Sequence, residues 1–160
     1  MVVSLRVDDR LVHGQIVTQW VRYLKVDSVV VVNDDVADDD VQKKVMRISL
    51  NDLKSLFCTV ADAARIVADP RGEKMRMLVL CKTIGDAIEL VKAVPAIQDV
   101  NVGNFYRDGD VDDKSKLVIT KNLKVNAEEK EQLRELVRLV PDCYHQSLST
   151  EQKRILSKYV

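Results

Sequence analysis

The chain alternates short, almost purely apolar runs with longer amphipathic segments, and this alternation limits the folds open to it. Ser28–Val32 and Met75–Cys81 are nearly continuous apolar runs of strand length, as expected of strands whose two faces are both covered. Segments with apolar residues at helical spacing follow them, which is the pattern of parallel strands joined by right-handed crossovers. The alternation predicts an α/β fold: a doubly wound, mostly parallel open sheet of about six to seven strands with helices on both faces.

The predicted elements follow one another along the whole chain. The predicted strands are Val2–Val7, Ser28–Val32, Leu53–Thr59, Met75–Cys81, Asp99–Val102 and Leu117–Thr120, with a last edge strand at Cys143–Leu148. Helical periodicity predicts helices after Gln15, from Ala37, after Thr59, over Ile84–Val94 and after Asn126. Ser149 with Gln152 resembles a helix cap and predicts a short C-terminal helix. Trp20 lies on the apolar face of the first helix, so we expect it in the core.

Length and composition favour one domain without a broad charged surface. The chain has 160 residues and 46% hydrophobic content, enough for a single compact domain over residues 1–160. We interpret the charged residues 107–116 as a surface excursion within that domain. Lys plus Arg and Asp plus Glu are 25 each, so no net basic field holds nucleic acid or an anionic membrane.

The cysteines and the apolar runs indicate the cellular compartment of the protein. Cys58, Cys81 and Cys143 are odd in number, far apart and without C-x-x-C spacing, which argues against a disulfide framework and a zinc site. Cys58 and Cys81 fall in predicted strands and are expected in the core. The longest aliphatic run, Val29–Val32, is too short to cross a bilayer, so we expect a cytoplasmic protein. From the cysteine spacing we expect no metal site.

A single histidine stands where a ligand site is expected. His13 follows the first predicted strand and precedes the first predicted helix, and in open α/β sheets this crevice receives ligands. The helix start offers unpaired backbone N–H groups to an anion such as a phosphoryl group. A neutral imidazole keeps one nitrogen lone pair that can attack phosphorus. His13 is therefore a candidate nucleophile.

Neighbouring side chains suit the same chemistry. Arg10 offers a planar set of donors for phosphate oxygens, and Asp8 and Asp9 can orient Arg10 or hold the tautomer of His13. We choose Asp9 as the orienting residue. Gly14 allows close backbone approach, and Gln15 begins the first helical turn.

Two later residues complete the predicted phosphate site. Lys82 and Thr83 follow the strand that ends at Cys81, so they belong to the same edge of the sheet. From pattern alone, each of these features has an ordinary alternative. His13 is then an exposed loop residue, Arg10 and the aspartates are surface ion pairs, and Lys82-Thr83 is a loop with a helix cap. His145, in a weakly predicted strand, is left without a role.

The segment Arg6–Trp20, which contains D-D-R-L-V-H-G-Q, strongly resembles the opening of the IIB proteins of the mannose/fructose/sorbose family of the bacterial phosphotransferase system. Similarity continues through Val29–Ala37, Met77–Val91 and Asn101–Gly103. The resemblance covers about the first two-thirds of the chain. The family usually has a glycine where this chain has Asn104.

The resemblance implies a phosphoryl carrier. His13 would accept a phosphoryl group on its δ nitrogen from a phosphorylated IIA protein and pass it to a sugar entering through membrane IIC and IID subunits. Arg10 would stabilise the phosphoryl group, and no cofactor beyond the covalent phosphohistidine would be needed. The protein would be cytoplasmic, peripherally associated with the transporter, and able to form a homo-oligomer. The implied sheet has about seven strands, the last of which can be antiparallel.

Three other functions compete. A receiver domain needs an acceptor aspartate after its third strand, and Leu56-Phe57-Cys58-Thr59 offers none. An inactivated IIB-like regulator or binding module is open because the last third of the chain diverges, although Asp9, Arg10, His13 and Gly14 are intact. A nucleotide-binding domain lacks a glycine-rich phosphate motif after the first strand.

Overall fold

A computed structural model describes residues 1–106 and 116–160 and contains the predicted sheet. Its strands are β1 (Val2–Val7), β2 (Ser28–Val32), β3 (Lys54–Cys58), β4 (Met77–Cys81), β5 (Val100–Val102), β6 (Leu117–Thr120), β7 (Leu123–Val125), β8 (Tyr144–His145) and β9 (Arg154–Ile155). Seven strands form one sheet in the order β3-β2-β4-β1-β5-β8-β9. Every pairing in it is parallel except that of β9 with β8. The doubly wound prediction is confirmed, including the antiparallel last strand.

Helices cover both faces of this sheet. A π-helical turn (Ile16–Trp20) runs into α1 (Val21–Leu24), and α2 (Asp34–Ala37), α3 (Asp40–Leu50), α4 (Val60–Ala68), α5 (Ile84–Ala93) and α6 (Ala127–Leu139) follow. One apolar cluster packs the π-helical turn, α1, α2 and α3 against one face of the sheet, and Trp20 is buried in it as predicted. The other cluster joins α4, α5 and α6 to the opposite face.

The side chains that begin each helix explain several boundaries. Thr83 and Asp86 form a capping box at α5, and Asn126 and Glu129 form another at α6. Thr59 caps α4 with its hydroxyl. Each cap satisfies backbone N–H groups that have no partner inside the helix. The predicted starts of these helices are therefore confirmed.

Three expectations need correction. The strand at Leu117–Thr120 exists, but it pairs with β7 in a separate antiparallel hairpin instead of joining the parallel sheet. The predicted edge strand at Cys143–Leu148 is shortened to β8, and β9 takes the edge. Ser149 and Gln152 do not cap a helix: the chain turns there, enters β9 and ends in a 3-10 turn, Leu156–Lys158. Pairing with β8 holds Arg154 and Ile155 in an extended conformation.

Helix α3 is present, but the residues whose spacing predicts it face away from the core. Val41, Val45 and Ile48 are 59–74% exposed, and Leu50 is the buried residue of this helix. The buried positions of Cys58 and Cys81 agree with the prediction. No helix in the described part of the chain has the length and apolar character to cross a membrane. The charged segment 107–115 lies outside the described residues.

Candidate active site

The loop after β1 is tied to the ends of both neighbouring strands. The Asp8 N–H donates to the Cys81 carbonyl at 3.0 Å, and the Asp9 N–H donates to the Asn104 carbonyl at 3.0 Å. The Leu11 N–H then closes a tight turn on the Asp8 carbonyl at 2.9 Å. Leu11 adopts a left-handed φ of 54°, which burial of its side chain compensates. The residues that follow are therefore held at the carboxyl edge of the sheet.

His13 points one ring nitrogen at a buried carboxylate. Its Nε2 lies 3.0 Å from Asp8 Oδ1, with the His13 side chain 13% exposed and the Asp8 side chain fully buried. Within the described residues Nε2 makes no well-aligned hydrogen bond, so the contact is an electrostatic one. A carboxylate at this distance favours the tautomer that carries its proton on Nε2. The nitrogen outside this contact is Nδ1.

A buried arginine holds the other side of Asp8. Arg6 Nε and Nη2 donate to Asp8 Oδ2 at 3.3 and 3.1 Å, and the guanidinium also donates to the Gln146 and Ser147 carbonyls. The guanidinium lies over the Trp20 ring, 4.6 Å from its centroid. Burial lowers the pKa of Arg6, and the Asp8 carboxylate opposes that effect. Arg6 therefore offsets the charge of a buried carboxylate that faces His13.

The sequence analysis gives Arg6 no role beyond its place in the motif, although the sequence indicates that Arg6 is unusual. It is the one charged residue inside the apolar strand Val2–Val7, and a charge on a strand buried on both faces needs a partner. Gly103 makes room for it. A Cβ at Gly103 would overlap Arg6 Cζ, so any side chain there would displace the guanidinium.

Asp9, the predicted orienting residue, has a different partner. Its Oδ2 accepts the Tyr106 N–H at 3.0 Å, and burial raises its pKa despite that hydrogen bond. The structure thus brings Asp8, rather than Asp9, into contact with His13. Arg10 is exposed, and its guanidinium donates no hydrogen bond within residues 1–106 and 116–160.

Gly14 and Gln15 complete the loop. A Cβ at Gly14 would meet nothing within 4 Å, so open space adjoins the backbone beside His13. The Gln15 Oε1 accepts a hydrogen bond from Asn104 Nδ2 at 3.1 Å, and the same Nδ2 donates to Asp8 Oδ2 at 3.2 Å. Asn104 therefore connects Asp8 to Gln15.

Lys82 and Thr83 lie at the same edge, directly after the Cys81 carbonyl that binds the Asp8 N–H. The Thr83 N–H donates to Asp86 Oδ2 at 3.2 Å, and Thr83 Oγ1 accepts the Asp86 N–H at 3.0 Å. The helix-cap interpretation of Thr83 is confirmed. A phosphate-binding role for Lys82 and Thr83 stays a prediction.

The second histidine is fully hydrogen-bonded. His145 Nδ1 lies 2.7 Å from the Val102 carbonyl, and its Nε2 lies 2.8 Å from Thr120 Oγ1. Because a carbonyl only accepts, Nδ1 carries the proton and Nε2 accepts from the hydroxyl. Burial lowers the pKa of His145. Its contacts are those of a structural histidine. Among the described residues, no group of three His, Cys, Asp or Glu side chains converges on a possible metal position.

Comparisons with known proteins cover nearly the whole chain. Residues 2–153 match the family model described as "PTS system sorbose subfamily IIB component". A Streptococcus pyogenes protein named "Probable phosphotransferase enzyme IIB component" is 35% identical over 162 residues, covering 100% of this chain and 99% of that protein. The Escherichia coli N-acetylgalactosamine-specific IIB component 2 is 34% identical over 155 residues, covering 94% of this chain and 92% of that protein.

The solved structures agree as well. The IIBSor domain of the Klebsiella pneumoniae sorbose permease superposes with a TM-score of 0.86 and 21% identity, covering 99% of this chain and 95% of that one; this likeness shows the fold. The fold is an α/β fold with a doubly wound sheet, and the His13 loop lies at the carboxyl edge where such sheets bind ligands. The chain belongs to the sorbose-subfamily IIB components of the phosphotransferase system.

Proposed function

We propose that His13 is the phosphoryl acceptor of this IIB component and that it reacts through Nδ1. The observation that carries the proposal is the contact of 3.0 Å between His13 Nε2 and the buried Asp8 Oδ1. With the proton on Nε2, facing this carboxylate, the lone pair of Nδ1 would be free to attack phosphorus. Asp8 takes the tautomer-holding role in this proposal, and Asp9 supports the loop through Tyr106.

The transfer balances without a further reactant. The Nδ1 lone pair forms the new P–N bond while the P–N bond of the donor phosphohistidine breaks, and its electron pair returns to the donor ring. The accepting ring keeps its Nε2 proton and becomes positively charged, and the carboxylate of Asp8 stabilises that charge. A protonated ring is also the better leaving group, so the same contact assists the second transfer.

The residues around His13 would bind the three phosphoryl oxygens. Arg10 is exposed and its guanidinium donates no hydrogen bond within the described residues, so the guanidinium is available for these oxygens. Gly14 leaves open space beside the backbone, and Gln15 can donate from its side-chain amide. Lys82 and Thr83 would contribute charge and a hydroxyl from the neighbouring strand end. No cofactor besides the covalent phosphoryl group is needed.

The partners follow from the family. Phosphotransferase IIB components take the phosphoryl group from a IIA protein and serve membrane IIC and IID subunits, where a sugar is the final acceptor. We propose these partners for this chain, together with a cytoplasmic location peripheral to the transporter. The exposed Arg10 and the open space at Gly14 would face the donor.

The test is intact mass and peptide mapping after incubation with phosphoenolpyruvate, the general phosphotransferase proteins and a cognate IIA protein. One added phosphoryl group on the His13 peptide is expected, absent in His13→Ala and discharged by membranes that contain IIC and IID when sugar is added. His145→Ala is the matched control, since it removes the other histidine and should keep the label. A label on His145, or none with several IIA proteins, would contradict the proposal and favour a regulator or binding module.

A further inference from the structure

The Asn104 side chain lies buried between two groups of the His13 loop. Its Nδ2 donates to Asp8 Oδ2 at 3.2 Å and to Gln15 Oε1 at 3.1 Å. We propose that Asn104 is a positioning residue that fixes the Gln15 amide so that its N–H donors, not its carbonyl oxygen, face the phosphoryl group. The proposal rests on the proposed phosphorylation of His13 and adds a side chain that a glycine at position 104 would not supply.

The orientation begins at the buried ion pair. Arg6 donates to Asp8 Oδ2 from two nitrogens, as the partner of the Asp8 carboxylate in a buried ion pair. A charged carboxylate only accepts hydrogen bonds. Asn104 must therefore turn its Nδ2 amide end, and not its oxygen, towards Asp8.

The orientation of the Asn104 amide determines the orientation of the Gln15 amide. Because Nδ2 of Asn104 also faces Gln15, the group that meets it must be an acceptor, and Oε1 of Gln15 is that acceptor. The Nε2 end of Gln15 is then left with two N–H donors that bind no other group in the described part of the chain. Gln15 stands two residues after His13, at the start of the helical turn where anions bind.

The polarity of this amide decides its effect on an anion. A donor aimed at a phosphoryl oxygen attracts it, and a hydrogen bond to a charged group is among the stronger ones in proteins. A carbonyl oxygen in the same place would repel the anion. Without a side chain at position 104, the Gln15 amide can adopt either orientation, and part of the population presents the wrong end.

The experiment measures the rate of phosphoryl acceptance from phosphorylated IIA by quenched-flow mass analysis. Asn104→Leu and Asn104→Gly are compared in the natural background and with Gln15→Ala. Asn104→Leu should lower the rate roughly tenfold, about the effect of one lost hydrogen bond to a charged group. In the Gln15→Ala background neither substitution should lower the rate further, because the amide being positioned is gone.

A spectroscopic readout separates positioning from general damage. In ¹⁵N-labelled protein the Gln15 side-chain amide signal should shift on phosphorylation, and Asn104→Gly should reduce that shift. Asn33→Gly is the matched control, since Asn33 is a buried asparagine that bonds to Asp86 instead of Gln15; its rate should stay near the natural one. Asn104→Gly keeps the test available if the leucine variant fails to fold.

Each outcome has a definite meaning. Equal rate losses with and without Gln15 would overturn the proposal, and so would an unchanged rate in both Asn104 variants. If the natural protein takes no label on His13, the proposed function fails first, and that failure is visible before any variant is compared.

Discussion

Replacing Arg6 with methionine tests the buried ion pair under the histidine loop. The substitution keeps an unbranched apolar side chain but leaves the fully buried Asp8 carboxylate without its cation. The two backbone carbonyls that Arg6 contacts keep other donors, since Asn101 Nδ2 bonds to the Gln146 carbonyl and Trp20 Nε1 to the Ser147 carbonyl. The cost is therefore concentrated in the unpaired carboxylate.

Breaking such a pair costs about 3–5 kcal/mol. With a urea m-value of about 2 kcal/mol/M, the unfolding midpoint should fall by about 2 M. The double variant Arg6→Met with Asp8→Asn removes both charges and should recover most of that loss. The assay is urea unfolding followed by circular dichroism.

The matched control is Arg71→Met, which removes the arginine of an exposed pair with Asp69. Its midpoint should stay close to that of the natural protein, because solvent screens exposed pairs. A single Arg6→Met variant as stable as the natural protein would refute the reasoning. A double variant no more stable than the single one would refute it as well.

Three further predictions follow from the structure. Gly103→Ala should destabilise the protein by about 2 kcal/mol in urea unfolding, because its Cβ meets the Arg6 guanidinium; a smaller effect is expected in Arg6→Met, and an equal one would contradict the steric cause. Because the pKa of His145 is lowered on folding, the unfolded chain binds the extra proton first as pH falls. Stability should therefore drop below about pH 6.5, with a smaller slope in His145→Asn; equal slopes would rule the residue out. Burial raises the pKa of Cys58 to about 11 and of Cys143 to about 12, so both should resist iodoacetamide at pH 8 until urea unfolds the protein, whereas rapid native labelling would contradict their burial.

The parallel core of the fold was predictable because its signal is local. Ser28–Val32 is buried on both faces, so every residue in it is apolar or small, and its bounds are confirmed. The β6–β7 hairpin was not predicted, because Leu123–Val125 is too short to stand out beside a charged segment. The exposed apolar residues of α3 show the limit of periodicity: Val41 and Val45 mark a helix without showing which side is covered.

The sequence groups most of the candidate site residues in one loop but does not give the contacts between them. The motif places His13 and Asp8 in one loop. Asp8 and Asp9 are adjacent residues of the same type, so the sequence does not tell which of them contacts His13. The fold separates them: β1 buries Asp8 beside Arg6, and the next residue turns towards Tyr106. Asn104 lies far away in sequence, and only the pairing of β1 with β5 brings it to Asp8.

The measurement that most directly tests the central claim is the identity of the phosphorylated nitrogen. Phosphorylated protein labelled with ¹⁵N in histidine can be examined by ³¹P and ¹⁵N NMR, which distinguish the two isomers of phosphohistidine. Because Nε2 of His13 lies 3.0 Å from Asp8 Oδ1, the phosphoryl group is expected on Nδ1, with the proton retained on Nε2. A phosphoryl group on Nε2 would contradict the role of Asp8 and the mechanism built on it.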